Sequence, residues 1–295
     1  MAKYIGIDLG GTNVKGIVIN ENGEILRHHS LPTQDTGDGA WRAKVLTIMQ
    51  ALRDAEGGQI DGIGMSAPGL PDADNRSIAY LPNRLAGLER FDWSAYFGQP
   101  AHVLNDAHAA LIAESAFGAA KGLKNVVLLT LGTGVGGGLL LNGELYQGLS
   151  QMAGHLGHVC LNSGEDEPSI LGMPGSLEYA FGNYSVGKRT RGRYASAAAL
   201  AEAYKNGDPV GSYHWLNAVR HLALGIASFI NALSPDTVAL SGGITQADDE
   251  LFVPLAAFLD EYEFRPGGKK TPVVKAHFSE TAGALGAAAF AMRRG

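Results

Sequence analysis

Residues 4–7, 14–19 and 25–30 carry apolar side chains at alternate or continuous positions. This pattern predicts three strands, with Asn20-Glu21-Asn22-Gly23 as the hairpin turn between the second and third. The period then lengthens. Over residues 41–54, Val45, Leu46, Ile48, Met49 and Leu52 fall at helical spacing. A strand over 60–66 runs into Ala67-Pro68-Gly69, and a short strand over 101–104 leads into a helix over 106–117. The pattern restarts beyond that point. Strands are predicted over 126–130, 137–142 and 144–147, and helices over 197–205 and 214–233. A strand over 237–240 meets Ser241-Gly242-Gly243, and a strand over 273–277 and a helix over 282–293 finish the chain. A β-hairpin unit followed by alternating strands and helices, occurring twice, implies a duplicated α/β architecture. No linker marks the boundary, which is expected near residues 105–122.

Composition narrows the class. The chain has 295 residues, 45% of them hydrophobic, which is enough for two domains of ordinary size. Charged residues make up 18%, the formal net charge is -6, and no Lys/Arg run of the kind that neutralising nucleic-acid phosphates needs is read, so nucleic acid is not an expected partner. The 41 glycines are dispersed and read as turns and close backbone approaches. Cys160 is the single cysteine, which precludes an internal disulfide and fits a reducing compartment. The N-terminal residues enter a strand without an apolar leader, and no run of 18 apolar residues occurs. A cytoplasmic protein with no membrane partner is expected.

Two glycine-rich loops follow apolar strands in different halves. The first is Asp8-Leu9-Gly10-Gly11-Thr12-Asn13; the second is Leu131-Gly132-Thr133-Gly134-Val135-Gly136-Gly137-Gly138. Gly10 and Gly11 let backbone N–H groups approach phosphate oxygens, Thr12 and Asn13 add side-chain donors, and Lys15 adds a positive charge. Asp8 is placed to face a nucleotide's Mg²⁺ through water. The plain alternative is a tight hairpin. Asn105-Asp106 ends a strand and opens a helix, where a carboxylate can accept the proton of an attacking hydroxyl or cap the helix.

Three other motifs are set aside. Gly132 to Gly137 formally matches G-x-G-x-x-G, but Leu139-Leu140-Leu141-Asn142-Gly143 after it reads as a strand and turn, not the required helix. Gly182 to Lys188 nearly matches a phosphate loop, but Arg189 stands where Ser or Thr is needed, so a surface loop is expected. His155, His158 and Cys160 are three ligand candidates where a structural zinc site takes four.

Asp8-Leu9-Gly10-Gly11-Thr12, Asn105-Asp106-Ala107, Gly118-Ala119-Ala120-Lys121-Gly122, the second glycine loop, Ala153-Gly154-His155-Leu156-Gly157-His158 and Leu240-Ser241-Gly242-Gly243 occur in one order. This order resembles the ROK family of sugar kinases and sugar-responsive repressors, within the actin-like ATPase superfamily. The resemblance spans residues 4 to about 290. It implies an α/β fold of two actin-like (ribonuclease H-like) domains with an interdomain ATP and sugar cleft. Residues 1–107 plus about 280–295 would form the N-terminal domain and 108–279 the C-terminal one. It further implies a kinase moving the γ-phosphate of ATP, with Mg²⁺, to a hydroxyl of a hexose or N-acyl-hexosamine, glucokinase-like or N-acylmannosamine kinase-like. Asp8, Gly10, Gly11, Thr12, Asn13 and Lys15, with Gly132, Thr133 and Gly134, would hold the phosphates. Gly242 and Gly243 would lie against the adenosine. Asp106 would be the general base, and Pro68, Gly69, Asn105, His155, His158 and Glu178 would bind the sugar. A homodimer is left open, as is polyphosphate in place of ATP.

Two departures from the family pattern matter. Many relatives carry Cys-x-Cys-Gly-x-x-Gly-Cys just before the Leu-Glu, whereas residues 169–176 here read Ser-Ile-Leu-Gly-Met-Pro-Gly-Ser. No structural zinc is expected, and Ile170, Leu171 and Met173 are expected to replace it by packing. His155 stands where glucose-acting members usually have Glu, while some resembling N-acylmannosamine kinases share His-x-Gly-His; the bound sugar face must differ. Two alternatives follow. One is a sugar-sensing regulator, against which the start on the first strand leaves no room for a helix-turn-helix. The other is a kinase-fold protein of weak or altered activity.

Overall fold

A computed structural model describes residues 1–82 and 84–294. In chain order the elements are β1 (Lys3–Leu9), β2 (Asn13–Asn20), β3 (Ile25–Pro32), α1 (Trp41–Ala55), β4 (Gly62–Ala67), β5 (Leu70–Pro71), β6 (Ile78–Tyr80), α2 (Trp93–Phe97), β7 (Ala101–Asn105) and α3 (Asp106–Phe117). There follow β8 (Val126–Leu131), β9 (Val135–Leu141), β10 (Glu144–Tyr146), α4 (Leu177–Phe181), α5 (Val186–Arg189), α6 (Ala197–Lys205) and α7 (Pro209–Leu233). The last are β11 (Thr237–Ser241), α8 (Asp249–Tyr262), β12 (Val273–Lys275) and α9 (Ala282–Arg294). The chain divides into two compact units. One comprises residues 1–122, 145–153 and 277–294; the other comprises 123–144 and 154–276. The first unit therefore takes in all of α3.

The first unit is built on a five-stranded sheet of order β3-β2-β1-β4-β7, with β1–β2–β3 antiparallel and β1, β4 and β7 parallel. Side chains of β2 alternate between its faces, as the period of two requires. Val14 and Val18 join Trp41, Val45 and Ile48 of α1; Ile17 and Ile19 join Ala284, Leu285 and Ala288 of α9. The second face depends on absent side chains. A β-carbon on Gly6 would run into the Ala284 carbonyl, one on Gly64 into that of Ala287, and one on Gly286 into that of Ala109. Glycine at these places lets α9 lie with its backbone on β1 and β4 and on α3.

α2 escaped the sequence reading because its five residues are too few to show a period. Asp92 caps it by accepting from the Ala95 N–H, and Gly98 ends it at φ 66°. It holds Trp93 and Phe97 in an aromatic cluster with Trp41, Phe91 and Tyr96.

The second unit repeats the plan. Within it the sheet runs β9-β8-β11-β12, with β8 and β9 antiparallel and β8, β11 and β12 parallel. α7 starts five residues earlier than periodicity suggests, because Asp208 caps it and Pro209 takes the first helical position, where no N–H is needed. By length and composition α7 could cross a membrane, but Trp215, Val219, Leu222 and Ile226 pack into the core of this unit. α8 was also missed. Pro254 lies inside it and offers no N–H to the Glu250 carbonyl. The Trp215 indole donates to that carbonyl instead, at 2.8 Å, so the break in the ladder is filled from α7.

Because α9 leaves no room for a β-carbon at position 64, Gly64→Ala is expected to lower stability by about 1–3 kcal/mol or more. Urea unfolding of the full chain measures this, and an unchanged midpoint would refute the close seating of α9.

Candidate active site

The β1–β2 turn is closed by its own backbone and braced from outside. Gly10 N–H donates to the Asn13 carbonyl at 3.0 Å, and Thr33 holds the other side through its N–H to Thr12 O (2.8 Å) and its hydroxyl to Gly10 O (2.7 Å). Asp8 stands at the foot of this turn. The Ser66 hydroxyl donates to its Oδ1 at 2.8 Å, and Gly283, just inside α9, lies so near that a β-carbon there would be 2.6 Å from the carboxyl carbon. Burial pushes the Asp8 carboxyl up from 3.8 to about 6; Ser66 opposes this, the charge of Asp106 adds to it, and Lys15 opposes it. Lys15 is otherwise engaged with Glu280, its Nζ 3.1 Å from the carboxylate and 3.3 Å from the carbonyl.

Asn105 and Asp106 open α3. The Asn105 amide donates to the Gly69 carbonyl at 3.0 Å, while its Oδ1 accepts the Ala107 N–H at 2.9 Å as the helix cap. Gly69 adopts φ 103°, and a β-carbon there would lie 2.7 Å from Tyr80 O, so no larger residue fits. Asn105 thus ties the Pro68-Gly69 turn to the helix that carries Asp106. Asp106 Oδ1 shares the Ala107 N–H at 2.8 Å. The residue is exposed at its surface yet crowded by protein atoms, and this desolvation raises its carboxyl above the usual range. The Ala107 N–H, the Arg84 charge and the Asn105 side chain oppose that rise.

Arg84 is the residue that sequence reasoning missed. Its Nη2 lies 2.7 Å from where a β-carbon on Gly11 would sit, and its charge acts on Asp106. No local pattern marks it; only the fold brings residue 84 to residue 11.

In the second unit, Gly132, Thr133 and Gly243 line one cavity of about 370 Å³. Ala197, Ala198, Ala201 and Trp215 supply apolar wall, and Glu202, Lys205, Gln246 and Glu250 supply polar groups. Gly242, at φ 96°, packs on the backbone of Leu131, which draws the ends of β11 and β8 together. Residues 182–184 are more than a surface loop: Asn183 N–H donates to Gly132 O (3.0 Å) and Tyr184 N–H to Thr133 O (2.9 Å), so they brace the second glycine turn.

Glu178 is buried against Gly134, its Oε2 accepting the Ile170 N–H at 3.1 Å. The rings of His155 and His158 stack at 6.4 Å and 11°, and the buried His158 Nδ1 has no partner among the described residues. Ile170, Leu171 and Met173 do not pack in place of a metal, contrary to expectation; they are 51%, 55% and 37% exposed. Backbone bonds hold that loop instead, with Ser169 N–H on Met173 O (2.8 Å) and Gly172 N–H on Ser169 O (3.0 Å). Among the described residues no group of three or more His, Cys, Asp or Glu side chains is placed to hold a metal ion.

The ROK family model matches residues 4–294. The chain is 30% identical over 287 residues to the glucokinase of Halalkalibacterium halodurans, covering 88% of this chain and 86% of that one. It is 30% identical over 301 residues to the N-acetylmannosamine kinase of Yersinia pseudotuberculosis, covering 99% of each. Among solved structures, the ROK hexokinase of Thermus thermophilus matches with a TM-score of 0.88 at 29% identity, over 99% of this chain and 98% of that one.

The raised Asp8 pKa carries a sign for stability. A carboxyl whose folded value exceeds its unfolded one opposes folding once ionised, so its cost grows as pH rises from about 4 through about 6. Asp8→Asn is therefore expected to melt several degrees higher than the parent at pH 8 and to lose that advantage below pH 4. Thermal melts across this range decide it, and a lower melting point at pH 8 would refute the burial argument.

Proposed function

The chain belongs to the ROK family, and from that premise we propose that it is an ATP-dependent sugar kinase acting on a hexose or an N-acyl-hexosamine. The observation that carries the reading is Asp106, fixed at the first residue of α3 with one carboxylate oxygen on the Ala107 N–H. With that oxygen engaged, the other would accept from an incoming hydroxyl. Asp106 takes the hydroxyl proton, the sugar oxygen forms a bond to the γ-phosphorus, and the bond from that phosphorus to the β-bridging oxygen breaks. Its electron pair leaves with ADP. The transition state of such a transfer is loose, so a carboxylate in the right place suffices as base. Desolvation around Asp106 strengthens it as a proton acceptor.

The glycine turn at Gly10 and Gly11 would receive the phosphates, with Thr12 and Asn13 adding donors. In the second unit the 370 Å³ cavity suits a nucleoside: the ribose and base would meet Ala198, Ala201 and Gly243, with Gly132 and Thr133 at the phosphate end. Asp8 fits a divalent cation, because its ionisation beside Asp106 is otherwise costly. Mg²⁺ held there through water would neutralise phosphate charge when bound. Pro68, Gly69 and Asn105 would form one sugar-binding group, and His155, His158 and Glu178 another. His158, with its buried unpartnered Nδ1, supplies a hydrogen-bonding atom for which a sugar hydroxyl is a natural partner.

ADP release with MgATP across glucose, mannose, fructose, N-acetylglucosamine and N-acetylmannosamine tests the activity, and no turnover on any of them would overturn it. Asp106→Asn is expected to keep fold and nucleotide affinity while losing nearly all turnover. In the parent, kcat/KM should fall as pH drops through the raised Asp106 value, because the base must be ionised. Ala198→Trp, which fills the second-unit cavity, should raise the KM for ATP at least about tenfold and leave the KM for sugar unchanged; equal effects on both would place the nucleoside elsewhere.

A further inference from the structure

Leu81, Leu85 and Ala86, near Arg84 in the chain, are each held by a hydrogen bond to a side chain. Leu85, at φ 46°, donates its N–H to Asp35 Oδ2 at 2.9 Å, and Leu81 N–H donates to Glu89 Oε1 at 2.6 Å. The Trp41 indole donates to Ala86 O at 3.2 Å, and the Arg42 guanidinium lies 5.2 Å from the ring centres of both Trp41 and Phe91. A left-handed conformation is unfavourable for a non-glycine residue and persists only where its surroundings hold it. These contacts do so, and they point one side chain, Arg84, at the β1–β2 turn.

The Arg84 side chain is exposed and reaches toward the β1–β2 turn. Among the described residues Arg84 makes no hydrogen bond and no ion pair within 4 Å. Its donors are instead poised over Gly11, at the 2.7 Å noted for a β-carbon there, in electrostatic reach of Asp106. With glycine at position 11 nothing stands between the guanidinium and the turn's backbone, and a β-carbon there would push the flexible end of Arg84 aside. Guanidinium presents a planar fork of donors that matches two oxygens of a phosphoryl group.

We infer that Arg84 is a further catalytic residue of this chain, holding the transferring phosphoryl group between the first glycine turn and the Asp106 base. The inference rests on the kinase reading above and assigns that site its transition-state cation. As the γ-phosphorus passes from the β-bridging oxygen to the sugar oxygen, negative charge spreads over its three peripheral oxygens. Arg84 donates to two of them, while the proton goes to Asp106 and the electron pair goes to ADP. The same charge opposes the rise that desolvation imposes on the Asp106 carboxyl.

Arg84→Ala and Arg84→Lys separate this role from a structural one. In turnover assays Arg84→Ala should lower kcat about 100-fold or more, leave the sugar KM within about threefold, and move the acid limb of kcat/KM to higher pH; Arg84→Lys should recover part of kcat. Calorimetric titration with Mg-AMPPNP and with MgADP reads the γ-phosphate contact without any sugar. The parent should prefer AMPPNP, and Arg84→Ala should erase that preference while keeping its ADP affinity. An unchanged AMPPNP-to-ADP preference, or kcat within about threefold of the parent, would overturn the assignment. If the parent turns over none of the sugars, the kinase reading fails and the titration alone decides Arg84.

Discussion

The first unit depends on the contact between the backbone of α9 and the two strands β1 and β4. Ordinary helix-on-sheet packing keeps about 10 Å between layers because side chains fill the gap. Here Gly6 and Gly64 remove the sheet's side chains, and the alanines of α9 remove most of the helix's. The helix settles until its carbonyls meet the strands. That descent brings Gly283 onto the Asp8 carboxyl and Glu280 to Lys15. The electrostatics of the glycine turn follow from a packing decision made on the other side of the strand.

Two carboxylates crowded by protein atoms in one unit are unfavourable by themselves, since like charges raise the cost of ionisation. The chain surrounds them with partial compensation. Ser66, the Ala107 N–H and the Asn105 side chain act through hydrogen bonds, and Lys15 and Arg84 act through charge. None of these cancels the burial. On the kinase reading proposed above, that residual cost is what a charged ligand would relieve.

Much of this was legible along the chain. α3 and α6 begin and end where the pattern of residues places them, because Asn105 and Ser196 are strong caps and glycine or asparagine follows each helix. The two sheets were visible as strands interrupted by glycine. What stayed hidden was decided by distant contacts. α8 contains Pro254, and only the Trp215 indole from another helix explains why the helix survives it. Arg84 is brought to Gly11 only by the fold, from more than 70 positions along the chain. Lys15 lies next to the first glycine turn in sequence, yet its ammonium is engaged by Glu280, more than 260 positions away. Ile170, Leu171 and Met173 look like core residues by composition, but a loop tied by its own backbone bonds leaves them outside.

The return of the C-terminal helix to the first strands has a consequence for the order in which the chain can become structured during synthesis. The residues of the second unit from 154 to 276 are complete in the chain before α9 has been made. The first unit begins at the N-terminus but lacks the helix that covers β1, β4 and α3 until the last residues are added. Contacts between the two ends of a chain are the last that chain growth allows, and closing them carries the largest loop entropy. The part made first is finished last, and an apolar sheet face stays uncovered throughout elongation. A chain cut short by a few dozen residues would keep most of its second unit and expose the sheet that carries Asp8.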